Sequence, residues 1–190
     1  MSKARVGILI SGRGSDMASL IEASKKPDSP YEVVIVASNV TDAPGLEFAR
    51  AEAIATWAQS HVGMTRADFD ELVDAELRAA GVEYVALAGY MRLLSPGFVQ
   101  KWAGRMINIH PSLLPAYKGL DTHQRVLDAG EAKHGCSVHI VTEALDDGEI
   151  VAQAEVPVLP GDDVHTLAAR VLVEEHKLYP AALAKLVRGK

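Results

Sequence analysis

Asn108 and His110 are the residues whose types and spacing most clearly suggest chemistry. They lie two positions apart at the end of the short apolar run 106–110. Strand side chains alternate between faces, so both polar groups are expected on the same face. An amide can donate to a developing oxyanion, and an imidazole exchanges protons near neutral pH, which suits acyl transfer through a tetrahedral intermediate. A buried pair satisfied by backbone groups would have the same spacing, and spacing alone leaves both interpretations open.

An acidic neighbour would favour the protonated form of His110. Asp146 and Asp147 follow the apolar run 136–142 and precede Gly148. One of them is expected to face His110, or both simply form the turn into the glycine. The sequence does not choose between these two roles.

A glycine-containing loop at residues 11–16 follows the first apolar run and precedes an amphipathic stretch. Gly12 and Gly14 allow a tight turn and close approach of a ligand, and free N–H groups at a helix start favour an anion. A dinucleotide-binding loop would need a third glycine where Met17 stands, and no acidic residue follows the next strand to hold a ribose, which disfavours a Rossmann dehydrogenase. A phosphate site and a plain chain reversal remain the alternatives.

Short apolar runs alternate with amphipathic stretches and must form the elements that position these residues. The predicted strands are 5–10, 32–37, 54–57, 84–88, 106–110, 136–142 and 150–156. The predicted helices are 15–25, 44–52, 66–80, 96–103 and 162–185. Asp162 or Asp163 is expected to cap the last helix, Pro180 to kink or restart it, and Asp147-Gly148 to join an antiparallel pair. We therefore predict an α/β fold, a Rossmann-like open twisted sheet that is mostly parallel with an antiparallel C-terminal portion and helices on both faces.

Composition narrows the class of protein. The 190 residues are 48% hydrophobic and 23% charged, which predicts one domain over residues 1–190 with its own core. No run approaches the ~18 apolar residues of a membrane span. The single cysteine, Cys136, makes an internal disulfide impossible and favours a reducing, cytoplasmic environment. The net charge of -6 argues against a nucleic-acid binder.

The run 108–115, Asn-Ile-His-Pro-Ser-Leu-Leu-Pro, resembles the signature of the formyltransferases that use 10-formyltetrahydrofolate. Residues 87–95 resemble that family's folate loop, and 135–139 with 145–148 resemble its catalytic aspartate segment. Residues 10–15 and 175–180 are similar to the members that formylate glycinamide ribonucleotide in de novo purine biosynthesis. The alternatives are formyltetrahydrofolate hydrolase, another formyltransferase of the family such as the one acting on methionyl-tRNA, or a phosphate-sugar-binding module, which would leave the Asn108–His110 pair unexplained.

The resemblance implies roles for individual residues. The implied catalytic residues are Asn108, His110 and Asp146, with His139 in support. The implied substrate-binding residues are Gly14, Ser15 and Asp16 at the ribonucleotide phosphate, and Glu175 near the substrate amine. The implied cofactor-binding residues are Arg66, Met91, Arg92, Leu93, Leu94 and Asn108. Without the resemblance, both arginines would be interpreted as solvated charges.

The same resemblance implies the partners of the chain. They are two small molecules, glycinamide ribonucleotide and 10-formyltetrahydrofolate as co-substrate, with no nucleic acid or membrane, and the protein is expected as a monomer or homodimer. No metal is expected, because the cofactor already carries an activated formyl group. Residues 1–100 are expected to form the phosphate-binding half, and residues 101–190 the catalytic and folate half.

Asp16 departs from the family pattern, which usually has Asn at this position. A carboxylate beside a phosphate is unfavourable because like charges repel. We therefore expect Asp16 to contribute its backbone N–H, or to cap the first helix.

Overall fold

Seven strands and six helices alternate along the chain in the computed structural model, which describes residues 2–189. The strands are β1 Ala4–Ile10, β2 Tyr31–Ser38, β3 Ala55–Ala58, β4 Tyr84–Leu87, β5 Met106–His110, β6 Lys133–Ile140 and β7 Ile150–Pro157. The helices are α1 Ser15–Ser24, α2 Pro44–Ala51, α3 Arg66–Ala79, α4 Pro96–Lys101, α5 Thr122–Asp128 and α6 Val164–Val187. No helix among these residues has the length and apolarity needed to cross a membrane.

The strands form one sheet in the order β3-β2-β1-β4-β5-β6-β7. The first five are parallel, whereas β6 is antiparallel to β5 and β7 is antiparallel to β6. Continuous apolar runs such as Val6–Ile10 are buried on both faces, as parallel strands between two helical layers require. The predicted fold class is confirmed.

The strand order reverses between β1 and β4, because the chain leaves β1 toward β2 and later returns to the other side of β1. In open α/β sheets, ligands bind outside the carboxyl ends of the strands at such a point. The loops after β1 and β4 meet here: the Ser11 N–H donates to the Gly89 carbonyl at 3.2 Å, and the Met91 N–H donates to Ser11 Oγ at 2.8 Å. The glycine loop and the loop after β4 are therefore neighbours that share hydrogen bonds.

Two apolar clusters cover the two faces of the sheet. One contains the buried stripes of α1 and α6, including Leu20 and Leu183, and the other contains those of α3 and α4, including Phe69 and Phe98. Tyr179 of α6 is fully buried. Its hydroxyl donates to the carbonyl of Leu87, the last residue of β4, at 2.6 Å, and to the carbonyl of Ile107 in β5 at 3.2 Å. The last helix is thereby fixed to the two central strands that lead into the crevice.

Three local predictions need correction or refinement. A kink or a restart was expected at Pro180; helix α6 is continuous through this residue, so it does not restart there. Asp163, one of the two expected caps, accepts from the Thr166 N–H. Strand β6 begins at Lys133 and ends at Ile140, rather than spanning 136–142. Helix α5 was not predicted, because seven residues are too few for a clear helical period.

Candidate active site

The polar end of β5 is paired with β6. Asn108 is half-buried opposite His139, whose ring is 3% exposed, and Asn108 Nδ2 lies 3.4 Å from His139 Nε2. His139 Nδ1 lies 3.0 Å from the Ile140 carbonyl and can donate only to it, which leaves Nε2 as an acceptor for the amide. Burial lowers the pKa of His139, consistent with a neutral ring. His139 therefore orients the amide of Asn108.

His110 lies two residues further along β5 and is 6% exposed. Its Nε2 donates to the Tyr117 carbonyl at 2.9 Å, and its Nδ1 lies 3.5 Å from Asp146 Oδ2. Both ring nitrogens thus face acceptors, so each is placed to donate a hydrogen bond when it carries a proton. The separation at Nδ1 is long for a hydrogen bond, so this nitrogen is the one that an incoming oxygen can approach.

Asp146, rather than Asp147, is the carboxylate beside the histidines. It is 7% exposed, its Oδ2 accepts from the Gly119 N–H at 2.9 Å, and its Oδ1 lies 3.8 Å from His139 Nε2. Asp147 is exposed and pairs with Lys118. Asn108, His110, His139 and Asp146 therefore lie together at the carboxyl end of β5, and this proximity resolves the choice between Asp146 and Asp147 that the sequence left open.

The loop that carries Asp146 depends on Gly148. A Cβ at this position would lie 1.7 Å from the Ile140 carbonyl oxygen, so no other residue fits without moving the backbone. Beside the loop is an open cavity of about 280 Å³, lined by Leu114, Pro115, Lys118 and residues 146–150. A planar ligand group could enter this cavity next to Asp146.

The glycine loop leads into α1. Gly14 is the N-cap residue, with a left-handed φ of 66°, and Asp16 lies in the first turn. The prediction that Asp16 caps the helix is wrong, since Gly14 occupies that position and no side chain caps it. The first N–H groups of α1, from Ser15 onward, therefore have no side-chain cap and point out of the helix start, which is the arrangement that binds anions.

The Asp16 side chain instead faces α6. Its Oδ1 is buried without a hydrogen-bond partner among residues 2–189 and lies 3.8 Å from His176 Nε2, which is also buried without one. Burial raises the pKa of Asp16 to about 6, against the opposing charge of His176. Glu175 is 8% exposed, and burial together with Asp16 raises its pKa to about 8. The structure thus brings Asp16 and Glu175 together and adds His176, to which the sequence had given no role.

The predicted cofactor residues lie around the β4 loop and the start of α3. Met91 and Leu93 are 75% and 57% exposed, Leu94 is half-buried, and Arg66 is the exposed first residue of α3. Arg92 is half-buried, with its guanidinium 5.2 Å from the centre of the Phe69 ring. Apolar side chains this exposed next to a crevice are available to a ligand.

Asp70 is a buried carboxylate in the same region that the sequence analysis missed. It is 2% exposed, and its Oδ2 accepts from the Ser95 N–H at 2.6 Å. Burial raises the pKa of Asp70, while Ser95 and the charges of Arg92 and Arg66 oppose that rise. Both arginines therefore lie near one buried carboxylate. An aspartate on the apolar side of α3, next to Phe69, was the signal that could have identified it.

Comparison with known proteins places this geometry in a family. The sequence profile described as formyl transferase matches residues 4–183. Phosphoribosylglycinamide formyltransferase of Escherichia coli is 44% identical over 184 residues, covering 96% of this chain and 87% of that protein. The trifunctional purine biosynthetic protein adenosine-3 of Bos taurus is 47% identical over 188 residues, but the chain spans only 19% of its length.

Solved structures agree with the sequence comparison. The crystal structure of phosphoribosylglycinamide formyltransferase from Brucella melitensis has a TM-score of 0.94 and 49% identity, covering 100% of this chain and 98% of that one. Glycinamide ribonucleotide transformylase 1 from Symbiobacterium toebii has a TM-score of 0.95 and 40% identity, covering 98% and 89%. The chain belongs to the formyl transferase family.

Proposed function

We propose that this protein transfers the formyl group of 10-formyltetrahydrofolate to the primary amine of glycinamide ribonucleotide, a step of purine biosynthesis. The observation that carries the proposal is the convergence of Asn108, His110 and Asp146 at the carboxyl end of β5. An amide donor, a cationic imidazole and a carboxylate supply what formyl transfer needs: stabilisation of an oxyanion and movement of one proton. The names of the full-length bacterial relatives support this choice of substrate.

The ribonucleotide is assigned to the side of the crevice formed by α1 and α6. Its phosphate binds the N–H groups of Gly14, Ser15 and Asp16, which lie where the helix dipole favours an anion. Glu175, buried on α6, faces the substrate amine. A carboxyl oxygen beside the amine can accept a hydrogen bond from its N–H and so orient the nitrogen lone pair toward the formyl carbon.

The cofactor is assigned to the other side, along the loop after β4. Met91, Leu93 and Leu94 offer apolar surface to the pterin, and Arg92 and Arg66 supply positive charge to the anionic glutamyl tail. The cavity beside Asp146 is assigned to the part of the cofactor that lies nearest the reacting centre. The formyl carbon is then held between Asn108 and the substrate amine.

The chemistry follows from these positions. The amine nitrogen attacks the formyl carbon, and the carbonyl oxygen becomes an oxyanion that accepts from Asn108 Nδ2 and from His110 Nδ1, the nitrogen that is only loosely engaged. Asp146 keeps His110 charged and passes a proton from the attacking amine toward N10 of the folate. Cleavage of the bond between the formyl carbon and N10 releases tetrahydrofolate and the ribonucleotide with its amine formylated.

A spectrophotometric assay of folate deformylation, run with and without glycinamide ribonucleotide, tests the proposal. Transfer predicts deformylation that depends on the amine and yields the formylated ribonucleotide in equal amount. Deformylation at the same rate without the amine would identify a hydrolase instead. If neither mixture reacted, the protein would be interpreted as a binding protein without catalytic activity, which contradicts the proposal.

A further inference from the structure

Residues 117–119, which we call the strap, contact both members of the His110–Asp146 pair. The Tyr117 carbonyl accepts from His110 Nε2 at 2.9 Å, and the Gly119 N–H donates to Asp146 Oδ2 at 2.9 Å. Two backbone groups of one short segment thus fix the imidazole from one side and the carboxylate from the other. A shift of the strap would move both side chains relative to each other.

Between these two contacts lies an ion pair. Lys118 Nζ donates to Asp147 Oδ1, and this hydrogen bond and the charge of Lys118 lower the pKa of the Asp147 carboxyl. The side chains are 38% and 56% exposed and line the cavity next to Asp146. Adjacent residues of the strap therefore face adjacent residues of the catalytic loop, Lys118 facing Asp147 and Gly119 facing Asp146.

Neither segment adopts this geometry by local preference. Tyr117 and Asp146 have φ values of 53° and 51°, in the left-handed region that residues with a side chain seldom occupy. Backbone of this kind persists where surrounding contacts over-determine it. The contacts of the strap with Asp146 and Asp147, in the loop between β6 and β7, hold Tyr117 and Asp146 in this conformation.

The strap is also held from its other side by α5. Arg125 Nη1 donates to the carbonyls of Lys118 at 2.7 Å and Leu120 at 3.1 Å, and its guanidinium lies 5.3 Å from the centre of the Tyr117 ring. Arg125 fixes the strap to α5, whereas Lys118 fixes it to the catalytic loop. Among residues 2–189, only the Lys118 side chain joins the strap to a charge next to Asp146.

We propose that Lys118 is a positioning residue for formyl transfer. Through its ion pair with Asp147 it keeps the Gly119 N–H on Asp146 and the Tyr117 carbonyl on His110. This role rests on the proposed function of the site, but the geometry of the strap can be measured without turnover. Because the pair is exposed, its effect is on the placement of catalytic groups rather than on the overall stability of the fold.

Four variants test the proposal: Lys118→Met, Asp147→Asn, the double neutral variant that combines these two changes, and the charge swap Lys118→Asp with Asp147→Lys. Each single change is expected to lower kcat by roughly three- to fivefold with little change in KM, as loss of an exposed ion pair allows. The two single effects should not add in the double neutral variant, and the swap should restore kcat to within about twofold of the wild type. Added salt should lower kcat of the wild type more than that of Lys118→Met.

Lys133→Met is the matched control, since it breaks the exposed Lys133–Glu155 pair between β6 and β7, and the Lys133 side chain makes no hydrogen bond or ion pair with residues 117–119. Amide hydrogen exchange at Gly119 gives the readout that does not need activity: it should accelerate in Lys118→Met and remain unchanged in Lys133→Met. The proposal would be overturned if the swap failed to restore kcat or if exchange at Gly119 did not change in Lys118→Met. A rise in KM alone would also overturn it, because it would show that Lys118 contacts the cofactor. Absence of formyl transfer in the wild type, with altered exchange in Lys118→Met, would refute the proposed function while retaining the strap.

Discussion

Replacing Asp146 by Asn removes the charge beside His110 while keeping the shape of the side chain. Asp146 is 7% exposed, and its Oδ2 lies 3.5 Å from His110 Nδ1. Two unit charges at that distance interact by about 4.7 kcal/mol at an effective dielectric constant of about 20. Part of this is offset by the polarity of the crevice and by the amide that replaces the carboxylate. We therefore expect a loss of about 2–4 kcal/mol of transition-state stabilisation, or roughly 30- to 1,000-fold in kcat.

The assay is steady-state formyl transfer at saturating concentrations of both substrates, followed by the absorbance change on deformylation. The amide oxygen of Asn can still accept from the Gly119 N–H, so urea unfolding of the variant should stay within about 1 kcal/mol of the wild type. Asp28→Asn is the control, because Asp28 is exposed in the turn before β2, at the amino end of the parallel strands, whereas Asp146 lies at the carboxyl end of β5. A kcat of Asp146→Asn within threefold of the wild type would refute the catalytic assignment of this carboxylate.

Three further predictions concern stability and cofactor binding. Burial raises the pKa of Glu175 from its ordinary 4.5 to about 8, so ionisation costs the folded state stability as the pH rises through that window. Urea unfolding should therefore show Glu175→Gln to be more stable than the wild type by a few kcal/mol at pH 8.5 but similar at pH 4. Gly148→Ala places a Cβ against the Ile140 carbonyl and should lower the free energy of unfolding by about 2–4 kcal/mol, with loss of turnover; wild-type stability would show that the loop can relax. Arg92→Met should raise KM for 10-formyltetrahydrofolate by about tenfold and leave kcat near normal. The same KM in the variant and the wild type would show that Arg92 does not bind the cofactor.

Residue patterns in the sequence were sufficient to predict the sheet and the family of the protein. The apolar runs predicted all seven strands, because buried parallel strands need apolar side chains on both faces. The signature at residues 108–115 predicted the formyltransferase family, and the match over residues 4–183 confirms it. Alternation along β5 also placed Asn108 and His110 on one face, and the structure agrees.

What the sequence left open depended on contacts between distant segments. Spacing could not choose between Asp146 and Asp147, because the choice is made by the left-handed backbone of Asp146 and by the Gly119 N–H, which comes from another loop. Of the two roles expected of Asp16, that of helix cap is wrong, because Gly14 is the N-cap residue and the carboxylate lies beside His176 on α6, far along the chain. Local pattern carries no signal for either contact.

The hydroxyl of Tyr179 has a consequence for the order in which the protein is made. It reaches the carbonyls of Leu87 and Ile107, on the two strands that lead into the cofactor loop and the catalytic pair. During synthesis the N-terminal segments emerge and begin to fold first. Strands β1 to β5 can then pair, but the donor to these two carbonyls is on α6, the helix that also carries Glu175. The crevice is therefore complete only after α6 has been synthesised and has packed against β4 and β5.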